Sequence, residues 1–490
     1  MKKTLLGVLM ACLISGCAAA PVASPIAPDS ASSKPVAATA QDASKPAASS
    51  QLIAAPDEPL RAPTGPWVGA AGASDFVMAG VSDTVLGVWV DVPAAVSKKH
   101  APAAVALVID VSGSMAGAKI ENARLAARSL VEKLADGDIV SVHTFSDEAI
   151  ERVPPTVLDR ASRGAIERVL AGLEPTGGTN LFDGLRLGES RSFKAPSTHP
   201  VRRVVLISDG VANIGPSTPE ILGELAQRGA ENGIQVTAVG VGIDYDEHTL
   251  NALAMRSSGR LYHISEPREL SAMLESELGL LQATAATNAV LEVVPAPGVK
   301  ILGVDGLRSE WGENGALRFQ LGTMFGGQHR EMAIRVRVTS PVDGTHPLAS
   351  VRFHFRDPAD GNLDRVQEVV ARYQVTSDHV ALEQHLNAKT QTIVTTQEAS
   401  RAALAAADSI NKGSYESAEK DLAIAETKLR ASAVTATNVV EKKRMIAAAG
   451  QMADIRQKTK AAAAAPPAAK PAMRAPALDV NAAAVRMSGF

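Results

Sequence analysis

The sequence is short of the residues that most often announce chemistry. Its only two cysteines in 490 residues, Cys12 and Cys17, both sit at the extreme N-terminus. The remainder therefore forms no internal disulfide and offers no thiolate, which excludes cysteine catalysis and cysteine metal sites. Aromatic residues make up 3%, so Ala-rich stretches supply much of the 46% hydrophobic total. Neither charge sign dominates: Lys and Arg number 49 against 52 Asp and Glu, a net charge of −3, and no basic surface invites nucleic acid. Past the N-terminus no apolar run reaches the ~18 residues of a spanning helix. There is no phosphate-cradling G-x-x-x-x-G-K-[ST], no H-E-x-x-H and no G-x-S-x-G nucleophile elbow. The ten histidines are scattered; His143 reads as a packed or edge-exposed strand residue rather than a ligand.

What is present begins with a targeting segment. Lys2 and Lys3 precede an apolar stretch from Leu5 to Ile14, too short to cross a bilayer. It ends in Leu13-Ile14-Ser15-Gly16-Cys17, which resembles a bacterial lipoprotein signal box, with Ile14 a small departure. The resemblance implies removal of residues 1–16 and lipidation of Cys17. Several acyl chains at about 0.8 kcal/mol per buried CH₂ give lasting attachment. Ala18, where Asp would favour inner-membrane retention, points to the outer membrane. The alternative is an ordinary secretory signal with an incidental cysteine. Residues 17–65, rich in Ala, Pro and Ser, read as a disordered tether.

The length predicts two or three domains. Residues 66–102 carry a strand at Val85–Val92 with Leu86, Val88, Val90 and Val92 on one face. From 103 to 283 apolar runs suited to central parallel strands (Ala104–Ile109, Val204–Ser208, Ile234–Val241) alternate with helical spacing, as in Ile120, Ala123, Ala127, Leu130 and Leu134. This is the pattern of a doubly wound α/β fold with a mostly parallel sheet. Across 284–377 the period drops to two, with Met332, Ile334, Val336 and Val338 facing one way, and Asx-Gly turns separate the runs, predicting a small antiparallel β-sandwich. Residues 378–460 read as a helical hairpin or bundle, and 461–490 as a disordered Ala/Pro-rich tail.

Three loops of the α/β segment carry polar residues at strand or helix ends. Asp110-x-Ser112-x-Ser114 follows the first strand, Pro175-Thr176-Gly177-Gly178-Thr179-Asn180 precedes a helix, and Ile207-Ser208-Asp209-Gly210 ends a central strand. In an open α/β sheet these loops gather at the carboxyl edge, near the topological switch point. Carboxylates and hydroxyls are hard oxygen donors suited to Mg²⁺, and Mn²⁺ and Ca²⁺ fit the same set. Asp183, a turn past Thr179, is either an acceptor behind this site or a helix N-terminal charge, and Asp244 and Asp246 read as helix-start residues.

With these residues in order, 103–283 resembles a von Willebrand factor type A domain bearing a metal-ion-dependent adhesion site. Ala238-Val239-Gly240-Val241-Gly242 and Gly259-Arg260-Leu261-Tyr262 match the family's ending. The resemblance implies that Ser112 and Ser114 bind the cation directly, Thr179 directly or through water, and Asp110 and Asp209 largely through water. Two carboxylates balance a divalent charge and leave one coordination position for a carboxylate from outside. In bacterial proteins resembling the calcium-activated-chloride-channel and inter-α-trypsin-inhibitor groups, β material flanks the A domain, so Val85–Val92 is expected to pair with the sandwich. The expected function is therefore non-enzymatic: a lipid-anchored envelope module that captures an acidic residue of a partner protein. The alternative is a structural scaffold whose C-terminal helices bind and whose metal steadies the fold. No nucleophile–base pair supports an enzyme. Oligomeric state is not legible.

Overall fold

The computed structural model describes residues 67–94, 101–304, 309–340, 343–436, 439–464, 476–480 and 484. The signal segment, Cys17 and the 17–65 stretch lie outside the described residues. Three strands open the fold: β1 (Val68–Gly72), β2 (Phe76–Met78) and β3 (Gly80–Asp91). The α/β segment follows as β4 (Ala103–Asp110), α1 (Ala118–Lys133), β5 (Ile139–Phe145), β6 (Ala149–Val157), α2 (Arg160–Ala171), α3 (Leu181–Phe193), β7 (Val201–Ser208), α4 (Pro219–Glu231), β8 (Ile234–Val241), α5 (Glu247–Arg256), β9 (Arg260–Ile264) and α6 (Leu270–Gln282). Then come β10 (Thr284–Pro295), β11 (Val299–Val304), β12 (Glu310–Trp311), β13 (Leu317–Phe325), β14 (His329–Ser340), β15 (Thr345–Asp357) and β16 (Leu363–Thr376). Helices α7 (His379–Gln384), α8 (Ala388–Asn411), α9 (Tyr415–Thr435) and α10 (Val439–Ala463) follow.

The α/β sheet has the order β6-β5-β4-β7-β8-β9 and is parallel except for β6. Every residue of β4 is buried, because helices cover both faces. Val105, Leu107 and Ile109 pack with α1, α2 and α6, while Ala106 and Val108 pack with α3, α4 and α5. The chain leaves β4 toward β5 on one side and returns to β7 on the other, so the carboxyl ends of β4 and β7 lie side by side at the switch point. Strand β6 is absent from the sequence reading. Its Pro154 and Pro155 argue against a central strand, and β6 indeed occupies a sheet edge, where missing N–H groups are tolerated.

Two further sheets form the sandwich, one in the order β1-β3-β14-β11 and the other β12-β13-β10-β15-β16-β2. Strand β3 pairs antiparallel with β14 along its whole length, from Asp91 opposite His329 to Gly80 opposite Ser340. The α/β segment is thus an insertion between two strands of one β unit. Leu86, Val88 and Val90 share a core with Ile334 and Val336 from their own sheet and with Leu291, Val351 and Phe353 from the facing one.

The helical region is larger than a hairpin: α8, α9 and α10 are three long helices packed on one another. Small residues line their contact, with Ala403, Ala407, Ala418, Leu422, Ala425, Ala449 and Met452 buried. Helix α8 lies against β3 and β14, where Gln397 Nε2 donates to the Glu331 carbonyl at 3.1 Å and Lys389 pairs with Glu331 at 2.7 Å. The last stretch corrects the reading of 461–490 as disordered throughout. Residues 476–480 are helical, Leu478 is buried in the α3–α5 core, and Ala477 and Val480 are buried against the helical bundle. Alanine and proline around it mask this short apolar segment in the composition.

Candidate metal centre

Each of the three loops is held in place by backbone geometry before any side chain is counted. Val111 N donates to Phe145 O at 2.9 Å and Thr176 N to Val111 O at 2.6 Å, tying the segment after β4 to β5 and to the 175–180 loop. Gly113 N reaches Gly177 O at 3.1 Å. Gly177 has φ +74°, and a Cβ there would stand 2.7 Å from the Asp147 carboxylate, so only glycine fits both the turn and the approach. Asp147 Oδ1 meanwhile accepts from Gly178 N at 2.7 Å. Helix α3 sits close against the sheet, since a Cβ on Gly188 would fall 2.5 Å from Val108 Cγ2, and this brings Thr179 and the Asn180 cap to the sheet edge.

The five sequence-predicted ligands meet at this edge. Asp110, at the end of β4, is fully buried; its Oδ1 accepts from Ser112 N at 2.8 Å and its Oδ2 from Ser208 Oγ at 2.6 Å. Ser112 Oγ and Ser114 Oγ are 3.0 Å apart, and Ser114 Oγ donates to Asp209 Oδ1 at 2.8 Å. Thr179 joins from the other side: a Cβ at Gly210 would lie 3.3 Å from Thr179 Oγ1 and 3.6 Å from Ser114 Oγ. Thr179 N is fixed by Asn213 Oδ1 at 2.8 Å. Asp110, Ser112, Thr179 and Asp209 are buried and Ser114 is exposed, so the cluster has one open side.

Burial pushes the Asp110 carboxyl up to about 6, against the hydrogen bonds from Ser112 and Ser208 that favour its ionised form. A cation at the cluster would offset that burial. The donor set fits an oxygen-seeking divalent ion: two carboxylates and three hydroxyls, no nitrogen or sulfur. Among the described residues no three His, Cys, Asp or Glu side chains form a metal cluster elsewhere. Lys119, on the first turn of α1, already brings a positive charge here, pairing with Asp209 Oδ2. The sequence reading missed Lys119, Ser208, Asp147 and Asn213. Ser208 ends β7 beside Asp209, but the other three lack any spacing signal and are placed only by the fold. Asp183 serves both readings: its N–H caps on Asn180 Oδ1 at 3.2 Å and its carboxylate pairs with Arg186, while Oδ2 accepts from Asn180 Nδ2 at 2.9 Å and so braces the residue next to Thr179. Asp246 caps α5, accepting from His248 N at 3.1 Å. His143 is buried, with Nε2 2.9 Å from Ser141 Oγ, away from the cluster.

The family model for the von Willebrand factor type A domain matches residues 104–276, the stretch that carries all five ligands. Residues 104–276 are a von Willebrand factor type A domain. The fold around it is shared as well. A von Willebrand factor type A structure from Catenulispora acidiphila superposes with a TM-score of 0.69 at 19% identity, covering 86% of this chain and 96% of that one. An ArnB paralog from Sulfolobus acidocaldarius gives 0.57 at 17% identity, covering 86% and 97%. These two likenesses extend well beyond the A domain into the sandwich and helices. Among curated relatives, an uncharacterized Synechocystis protein is 25% identical over 57% of this chain and 69% of its own length. A human inter-alpha-trypsin inhibitor heavy chain is 27% identical, but over 36% of this chain and 20% of its own. YfbK, an uncharacterized protein of Escherichia coli, is 26% identical over 39% and 33%. The chain thus spans a fifth of the length of the human heavy chain. Domains of this type are commonly metal-dependent protein-interaction modules.

Proposed function

We propose that this chain is a protein-binding module of the bacterial envelope whose A domain captures an acidic side chain of its partner through a divalent cation. The observation that carries the reading is the convergence of Asp110, Ser112, Ser114, Thr179 and Asp209 into an oxygen cluster with Ser114 as its exposed face. When bound, Mg²⁺ would supply Lewis acidity toward a carboxylate oxygen, and the two buried aspartates would balance its charge. The polar parts that remain are positioning parts: Ser208 and Asn213 hold Asp110 and Thr179. Val211, exposed next to Gly210, adds an apolar contact beside the open side. No nucleophile–base pair accompanies the cluster in this reading, so the module binds without turnover. The lipid-box resemblance at Cys17 supports attachment to the outer membrane. Among the described residues no helix is long and apolar enough to cross a membrane.

Capture from detergent-solubilised envelopes tests the reading. With Mg²⁺ the chain should retain a protein that EDTA releases, and Asp110→Ala or Asp209→Ala should fail to retain it while keeping the wild-type circular dichroism spectrum. Retention by both variants would transfer the binding to another surface. A second reading places binding on the helical region, where Ile424, Val434 and Ile446 are exposed on α9 and α10. It predicts EDTA-resistant capture lost on Ile424→Glu with Ile446→Glu.

A further inference from the structure

On the side of the α/β sheet that carries α6, basic residues collect where the A domain meets the sandwich. Arg203 on β7 is 1% exposed and Arg330 on β14 is 3% exposed, while Arg260 on β9 is partly buried. The facing carboxylate is Glu277 of α6, itself fully buried. Its oxygens are already engaged: Thr237 Oγ1 donates to Oε1 at 2.6 Å and Tyr262 OH donates to Oε2 at 3.1 Å. Arg203 Nε approaches Oε1 no closer than 3.5 Å, and among the described residues Nε, Nη1 and Nη2 of Arg203 find no hydrogen-bond acceptor. Its guanidinium lies 5.4 Å from the Phe325 ring centre, an apolar neighbour on the sandwich side.

Glu277 matches one positive charge here, but the N–H groups of the Arg203 guanidinium stay without acceptors, and buried donors left unpaired are costly. Arginine does not escape by losing its proton. Burial, then the neighbouring Arg260 and Arg203 charges, pull Arg330 down to about 9. Water would accept from the free N–H groups but would bring no charge.

We propose that this junction holds one small inorganic anion, halide-sized, bound by the free Nη groups of Arg203 between β7, β14 and α6. A monatomic anion suits the setting because it accepts N–H donors from any direction and needs little room beside the Phe325 ring. The anion would then fasten the last helix of the A domain to the sandwich, since Glu277 and Arg203 belong to one and Phe325 and Arg330 to the other.

Crystals of the full chain grown in sodium bromide, measured at the bromine absorption edge, give the direct test. The expected result is one buried anomalous peak within hydrogen-bond distance of Arg203 Nη. In parallel, thermal unfolding at about 0.15 M ionic strength with Mg²⁺ fixed should show a midpoint about 2–5 °C higher in chloride or bromide than in gluconate. Arg203→Met should abolish that difference. A buried water or a protein carboxylate on the Nη groups of Arg203 in place of the peak overturns the proposal, as does an equal midpoint in all three salts. The diffraction measurement needs no variant and stands even where Arg203→Met fails to fold.

Discussion

Residue by residue, the cluster differs from a closed ion cage through Lys119. Asp209 has a fully buried side chain, and Lys119, 25% exposed, is its cationic partner. An arriving divalent ion and the ammonium compete for the same carboxylate. Removing a partner from a buried charge costs several kcal/mol, so Lys119→Met should lower stability in EDTA by about 1–3 kcal/mol, discounted for the lysine's exposure. The same change should tighten Mg²⁺ binding about tenfold, near 1.4 kcal/mol. Calorimetric titration with Mg²⁺ and urea unfolding in EDTA read the two effects separately, and an unchanged Mg²⁺ affinity would remove Lys119 from this role. The five ligands themselves were legible because each sits at an element end marked by an apolar run or a glycine pair. Lys119 was not, because a lysine in the first turn of an amphipathic helix looks like any solvated residue.

At the level of elements, α3 couples the core to the site. Gly188 lets it approach Val108 of β4, and its N-terminus carries Asn180 next to Thr179. Overpacking typically costs about 1–3 kcal/mol. Gly188→Leu should therefore lower the unfolding midpoint and also weaken Mg²⁺ binding, because the helix start moves with the helix. Gly164→Ala is the control: a Cβ there meets nothing within 4 Å on α2, so it should stabilise by about 0.5–1 kcal/mol and leave Mg²⁺ affinity alone. Equal Mg²⁺ affinities in both variants would uncouple α3 from the site. The same helix carries Glu189, buried against Gly229 of α4 with Oε1 unpartnered among the described residues. Burial pushes its carboxyl up to about 8. A folded-state value above the unfolded one means the folded protein holds this proton more tightly. Its contribution is complete below pH 4.5 and is lost as pH rises toward 8. Urea unfolding in EDTA should show a pH-dependent loss of a few kcal/mol, at most ~5, between those limits. Glu189→Gln should flatten the part above about pH 6, below which the raised Asp110 carboxyl also contributes, and an unflattened upper part would move the titrating group elsewhere. The alternating strands and the buried parallel strands were readable because burial on one face or two leaves period two or an unbroken apolar run. Strand β6 was not, because edge strands tolerate the prolines that signal a break.

For the molecule as a whole, the expected pairing of Val85–Val92 with the sandwich, which makes the A domain an insertion, is what the structure has, but the helical region is folded back on both, which the sequence does not suggest. Helix α8 packs on β3 and β14, Asn411 Nδ2 donates to Glu247 Oε1 of α5 at 2.7 Å, and Leu478 enters the α3–α5 core. These contacts join segments from about 60 to about 300 residues apart, and no local pattern records them. They mean that removing residues 378–490 would strip cover from both domains and mix lost binding with lost folding. A gentler cut separates the two. Ending the chain after Ala464 removes Leu478 and the Asp479 carboxylate that pairs with Lys458 at 2.6 Å. Burying Leu478 and Val480 is worth about 1.5–3 kcal/mol each, Ala477 adds less, and an exposed ion pair adds little. The shortened chain should unfold at a lower midpoint by that amount and bind Mg²⁺ with wild-type affinity, because Leu478 sits among α3–α5 core residues rather than among the ligands. Leu478→Ala in the full chain should reproduce a large part of the loss, since large-to-small core changes of this kind cost about 2–5 kcal/mol. A wild-type midpoint for both proteins would show that the segment adds nothing to the fold. A loss of Mg²⁺ binding in either would instead make the docked C-terminus part of what holds the metal site in shape.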